Sequence, residues 1–284
     1  HQKKQYRKKK EGKKMGEKQV SRKVGSLINH YGIYLMFIIL IIVSTMISPN
    51  FMTYRNLISV SKQISVTAVM SFGMTLLIIS GQIDLSMGST IAMAGMVSIN
   101  AFLATGSYIL AVIVACVVAA LIGYINGHLI TTLKLPGFIA TMSMDTIVRG
   151  AVYLYTGGSP IYQIGDYGVI STTYVGVFPL PVIIMIIVGI ICYLILRYTR
   201  FGRSLYACGG NVDAAEASGI NVGRTKRMAF VVSGIFVGIA AVLQMARLNS
   251  GLPDTAEGYH ADAIASAVIG GTSFTGGTGT ATGT

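Results

Sequence analysis

Tryptophan is absent from the chain, cysteine is limited to three residues, histidine to four, and acidic residues to ten. Without an indole, and with no cluster of aromatic and carboxamide residues that can be placed, the sequence offers no sugar-reading site of the stacking kind. Cys116, Cys192 and Cys208 lie far apart, so neither a disulfide framework nor a CxxC metal site is supported. His1, His30, His128 and His260 form no HxxxH pair, which leaves metal catalysis without ligands. The glycine-rich end "GGTSFTGGTGTATGT" lacks the Gly-Lys-Ser/Thr of a phosphate-binding loop. Thr282 also stands where a GxGxxG pattern would need its third glycine, so close packing of a helix through small residues is expected there instead. No catalytic set of nucleophile, base or metal is present, no cofactor is implied, and an enzyme is not expected.

Charge is the scarcest commodity of all. Only 11% of the 284 residues are charged, 52% are hydrophobic, and the mean hydropathy is +0.66, values that exclude a soluble globule of this size. Residues 63–83, 85–133, 167–196, 228–246 and 263–284 contain no Lys, Arg, Asp or Glu. A membrane-spanning helix needs roughly 20 predominantly apolar residues. Eight spans are expected: Ile33–Ile47, Ile64–Ile83, Ser86–Ala104, Ile109–Thr131, Phe138–Leu154, Val177–Leu196, Arg227–Ala246 and Asp262 onward. Unbroken runs such as "LMFIILIIV" exclude the alternating strands of a membrane barrel. The fold class is therefore all-α, a polytopic transmembrane helical bundle.

The net charge of +12 is concentrated rather than spread. Eleven of the 22 Lys and Arg fall within residues 1–30, and six more within residues 197–227. Positive segments stay on the cytoplasmic side, and counting spans from a cytoplasmic N-terminus puts both clusters there. By the same count residues 157–176 and 247–260 lie outside. Residues 1–30 form a basic tail that sets topology and touches anionic membrane lipid, not nucleic acid. They lack the small-residue cleavage site of a signal peptide. Residues 31–284 form the membrane domain. A C-terminally truncated chain is expected, because the sequence stops at Thr284 inside an apolar run.

A few polar residues lie at membrane depth. In "GQIDLSMGS", Asp84 or Ser86 caps the following helix, or Asp84 lines a pathway at a break between helices. Asp145 and Arg149 are four residues apart, share a helix face and form either a structural ion pair or a solute contact. Asp84, Ser86, Asp145 and Arg149 are thus the candidate pathway residues. Between two spans, "GNVDAAEASGINVGRTK" places a short helix, Asp213 to Ser218, of small side chains that another protein's surface can approach closely. An interfacial helix would carry large apolar anchors and basic residues, which this one lacks.

The stretches "GQIDLSMGS", "LPGFIATMSMDTIVRGAVYLYTGGSPI", "GRSLYACGGNVDAAEASGINV" and "GYHADAIASAVIGGTSFTGGTGTATGT" resemble, in order, the permease subunits of bacterial ATP-binding-cassette importers for simple sugars. This group contains the ribose, xylose, galactose and autoinducer-2 permeases. The resemblance implies a type II importer architecture of ten spans in the bacterial plasma membrane, of which this chain holds about eight. It also implies a second permease subunit, a pair of ATPase subunits and an extracytoplasmic sugar-binding protein as partners. The family's ATPase-contacting helix corresponds to Gly209, Gly210, Asn211, Asp213, Ala214, Ala215, Glu216, Ser218 and Gly219, within a coupling segment of about residues 209–222. In such a permease the partner hydrolyses ATP, and the membrane subunit converts ATPase closure into exposure of its cavity to one side or the other. The competing class is an ion-coupled secondary transporter that uses Asp84 and Asp145.

Overall fold

The computed structural model describes residues 32 and 35–284, so the expected basic tail and the first residues of the first span lie outside the described residues. Packing divides the chain between Leu57 and Ile58. In the first unit, Leu35–Ile47 (α1) is a short apolar helix. The rest of the chain carries α2 (Tyr54–Ile79), α3 (Met87–Thr105), α4 (Tyr108–Thr131) and α5 (Gly137–Thr156). There follow a one-turn α6 (Val169–Thr172), the strands β1 (Tyr174–Val175) and β2 (Phe178–Pro179), and α7 (Leu180–Tyr198). Beyond them lie α8 (Arg200–Gly210), α9 (Val212–Ala217), α10 (Val222–Leu248) and α11 (Tyr259–Ile269). Among the described residues, α2, α3, α4, α7 and α10 are long and apolar enough to cross a membrane. Helix α5 is continuous over 20 residues, but Asp145 and Arg149 interrupt its apolar sequence.

Helix ends follow capping chemistry. The Ser107 hydroxyl accepts the Leu110 N–H at the start of α4, and Thr199, Asn211 and Asn221 do the same for α8, α9 and α10. Left-handed Gly106 and Gly157 close α3 and α5.

The centre of the bundle is the seam between α4 and α10. Helix α4 turns Ala111, Ala115, Ala119, Gly123 and Gly127 inward at every fourth residue, while Ile113, Val117 and Leu121 face outward. Lipid is as apolar as these side chains, so close backbone contact rather than hydrophobic burial joins the two helices. A β-carbon at Gly238 of α10 would come within 2.7 Å of the Cys116 Cα, and one at Gly123 would overlap the Phe230 carbonyl. Only glycine permits that approach.

The two ends of the bundle differ. At one, the segment after α5 meets the end of α10: Ile161 bridges Gly251, Gly168 lies against Asn249, and the Tyr108 hydroxyl donates to the Asp166 carbonyl. At the other lie α8, α9, the end of α2 and the start of α5, with Gln82 beside Gly137.

Three expectations differ from the structure. Helix α2 begins at Tyr54, not Ile64, because Lys62 is accommodated inside the helix, its ammonium 5.4 Å from the Tyr174 ring. Helix α10 begins at Val222, so Arg224, Lys226 and Arg227 belong to its first turns. The stretch from Asp262 onward is helical only to Ile269. Beyond it Gly271, Gly276, Gly277 and Gly279 have positive φ, and the segment packs as turns instead of the small-residue helix expected.

The seam predicts an asymmetry between glycines. Gly123→Val should lower the unfolding temperature of the detergent-solubilised protein, in line with overpacking costs of roughly 1–3 kcal/mol. Gly150→Ala, where a β-carbon would meet nothing within 4 Å, should leave it unchanged or slightly higher. Equal melting curves for the two variants would count against the seam.

Candidate functional site

Helices α2 and α3 are separated by residues 80–86, a break in which Asp84 and Ser86 are both buried. The Asp84 Oδ1 oxygen accepts the Ser86 N–H (2.9 Å), the Ser86 hydroxyl (2.6 Å) and the Asn126 amide (3.4 Å). The same Asn126 nitrogen donates to Ser86 Oγ at 2.8 Å. The Oδ2 oxygen has no partner among the described residues. Ser86 makes no side-chain cap bond, and Asp84 holds the turn one residue ahead of α3 rather than the helix itself.

The cap comes from another helix. Asp145, on α5, accepts the Ser89 N–H in the first turn of α3 at 3.3 Å. A carboxylate there also complements the positive end of the helix dipole. Arg149, one turn further along α5, donates through one nitrogen to the carbonyls of Pro253 (2.8 Å) and Thr255 (3.0 Å). Asp145 and Arg149 therefore face the same side, yet each engages a different stretch of backbone. The structure brings Asp84, Ser86 and Asp145 together around the start of α3, with Arg149 next to them through Gly88. Asn126 belongs to this group and was missed. Its signal was the one carboxamide of α4, on the small-residue face of that helix and inside the charge-free run 85–133.

The α8–α9 corner places the second group. Asn211 caps α9 by accepting the Ala214 N–H at 2.9 Å. Asn211, Asp213, Ala214, Glu216, Ala217, Ser218 and Gly219 are exposed. Ala215 is not: it is 3% exposed and packs with Cys208 and Val222. Gly210 is open, with nothing within 4 Å of a β-carbon there, whereas Gly209 lies against the Ile79 carbonyl and Gly277. The Gly277 N–H also donates to that Ile79 carbonyl at 2.9 Å. Three backbones thus meet behind α9: the end of α2, the end of α8 and the turn at Gly276-Gly277. Among the described residues no three His, Cys, Asp or Glu side chains are grouped to hold a metal.

The Asp84 network makes a stability prediction. Asp84→Asn keeps an acceptor for Ser86 and should preserve the fold. Asp84→Leu strands the Ser86 N–H and hydroxyl and should cost about 1–3 kcal/mol, read as a lower melting temperature and lower yield. A leucine variant as stable as the asparagine variant would remove the structural role.

The family described as "Branched-chain amino acid transport system / permease component" matches residues 56–284. The chain is 38% identical over 266 residues to the ribose import permease protein RbsC of Escherichia coli K12, covering 91% of this chain and 82% of that one. Its Bacillus subtilis counterpart is 38% identical, covering 89% and 80%. The L-arabinose transport system permease protein AraH of Escherichia coli K12 is 35% identical, covering 90% and 78%. No solved structure matches the chain. With the family matched over most of the chain and these relatives above a third identical, the chain belongs to the family of membrane permease components described for branched-chain amino acid transport systems.

Proposed function

We propose that the chain is the permease subunit of an ATP-binding-cassette importer that carries a monosaccharide or similar small polar solute across a bacterial plasma membrane. The observation that carries this reading is the 38% identity to a ribose import permease across 91% of the chain. The family description names amino acids, but the relatives above are named for ribose and arabinose, which favours a sugar for this chain as well. In this role the permease performs no chemistry. A separate ATPase pair hydrolyses ATP, a second permease subunit completes the passage, and an extracytoplasmic binding protein delivers the solute.

Residues 209–219 are the proposed ATPase contact. Apart from Glu216 the exposed side chains of α9 are short, so a groove on the partner can approach its backbone. The buried Ala215 anchors α9 to α8 instead of touching the partner. Behind them, Gly209 stands directly against the end of α2, so displacement of α9 and α8 reaches a membrane helix without a flexible link. Asp84, Ser86, Asp145 and Arg149 are proposed to support the pathway by fixing its walls. The cytoplasmic placement of the α9 end follows from the basic residues Arg197, Arg200, Arg203 and Arg224 around it.

Two measurements test this. In proteoliposomes containing the permease with its ATPase, and with the binding protein supplied outside, uptake of D-ribose or L-arabinose should require ATP and survive a protonophore. Ala217→Arg, on the exposed face of α9, should abolish ATPase co-purification and cut uptake at least tenfold without altering membrane insertion. Protonophore-sensitive uptake that ignores ATP would point to ion coupling instead. For topology, with the three native cysteines replaced, a thiol at Gly158 should react with an impermeant reagent added outside whole cells, and one at Val212 should not. External labelling at Val212 would invert the orientation.

A further inference from the structure

We infer that the β1–β2 hairpin is a lipid-contacting element whose tip, Val175 to Phe178, lies in the interfacial layer of the leaflet opposite α9, among the glycerol groups and upper acyl chains of phospholipid. Neither a solute nor an ATPase is involved, only the membrane-spanning bundle.

The tip is apolar on both faces. Tyr174 pairs with Pro179 and Val175 with Phe178, and the strands are joined by Gly176, at φ 64°, and Val177. This is a two-residue turn with glycine in first place. Val175 is 57% exposed, Val177 70% and Phe178 60%. No Lys, Arg, Asp or Glu occurs in residues 167–196, so the patch lacks the polar, charged rim that borders a contact between proteins. A two-stranded hairpin is marginal in water, and this one would present three large apolar side chains to it.

Height along the bundle identifies what covers them. Helix α7 starts directly after the hairpin at Leu180 and ends at Tyr198, next to α8. Arg197 and Tyr198 are exposed there, residue types that mark a membrane boundary. At 1.5 Å per residue Leu180 stands about 27 Å from Tyr198. That is close to a hydrocarbon layer of about 30 Å. Val177 is three residues further, at most about 10 Å of chain, which keeps it within the headgroup layer. Lys62 of α2 gives a second measure. Its ammonium is 5.4 Å from the Tyr174 ring. Lys62 in turn stands about 25 Å along α2 from Ile79, whose carbonyl meets Gly209 at the α9 end. Tyr153 and Tyr155, exposed in the last turn of α5, add aromatic rings at the same height, as in the belt of a membrane interface.

The hairpin can go no deeper. A two-stranded sheet has two open edges, and their backbone groups find no partner in hydrocarbon. The interface supplies water for the backbone and acyl chain for Val175, Val177 and Phe178. The patch is also continuous with the exposed apolar side of α7, formed by Ile186, Ile187, Ile190 and Ile191. Lipid contact thereby holds one end of α7 at a fixed height while the other end runs through Thr199 into α8.

The chain has no tryptophan, so Val177→Trp, or Phe178→Trp as the more conservative change, provides a single indole to follow by fluorescence. Lipid nanodiscs holding the full chain leave both membrane faces open to the buffer. Phospholipid brominated near the top of its acyl chains should quench both variants at least twofold more than phospholipid brominated near the chain ends. Aqueous iodide should quench them at least threefold less than it quenches Ser218→Trp, at the exposed end of α9. Ile190→Trp, about 15 Å along α7 from Leu180, should show the reverse order of bromine positions. Ready quenching by iodide with none by brominated lipid would put the hairpin in water and overturn the inference. Shielding from both quenchers would give the surface to a second copy of the chain and overturn it equally. So would iodide quenching that ceases only when the proposed extracytoplasmic binding protein is added.

Discussion

Hydrocarbon offers no hydrogen bond, and most of this structure answers to that fact. Each unpaired backbone N–H or C=O at membrane depth costs several kcal/mol, so a chain with such long charge-free runs becomes helix wherever it can. The informative places are those where it does not. Two stretches interrupt the helices inside the bundle, residues 80–86 and 249–258, and each is supported by an ionisable side chain. Asp84 organises the first from within, Asp145 caps α3 from a neighbouring helix, and Arg149 takes up two carbonyls of the second. Ionisable groups that are expensive in lipid are retained here because the backbone they satisfy would be at least as expensive without them.

Packing obeys the same solvent. With no water to expel between helices, α4 and α10 associate through a stripe of Ala and Gly that brings their backbones into contact. The same device recurs at the α9 end, where Gly209 touches the Ile79 carbonyl and the Gly276-Gly277 turn. Bulky side chains would cushion these contacts. Their absence makes the junction stiff, so that a displacement of α8 must be shared by the end of α2 and by the turn that follows α11. That stiffness suits the ATPase contact proposed at α9.

The sequence makes the fold class legible because the period and length of charge-free runs depend on local chain alone. Spans Ser86–Ala104 and Ile109–Thr131 were placed within a residue of α3 and α4. The short helix around Asp213 was legible from the glycines on either side of it, Gly209-Gly210 and Gly219, and its cap proves to be Asn211. The errors occurred where tertiary contacts overrule composition. Lys62 and Arg224 mark span ends by charge but sit inside helices, because a long side chain can reach an aromatic ring or the interface. Ala215 looked like part of a docking surface, yet helical geometry turns it toward Cys208 and Val222. Asn126, the partner of Asp84 and Ser86, lies some forty residues away in sequence, a distance that no local pattern bridges.

Asp145 and Arg149 show how far such logic extends. Spaced at i and i+4 they satisfy the sequence rule for an ion pair, and their opposite charges leave no net charge on that face of α5. The structure employs that opposition differently. The anion accepts an N–H at the positive start of α3, and the cation donates to carbonyls of the segment leading into α11. One helical turn, about 5.4 Å, separates the two attachment points. A single turn of α5 thereby fixes the relative height of the two interruptions in the bundle. Because the start of α11 follows directly from the segment that Arg149 holds, that turn also sets the depth at which α11 begins.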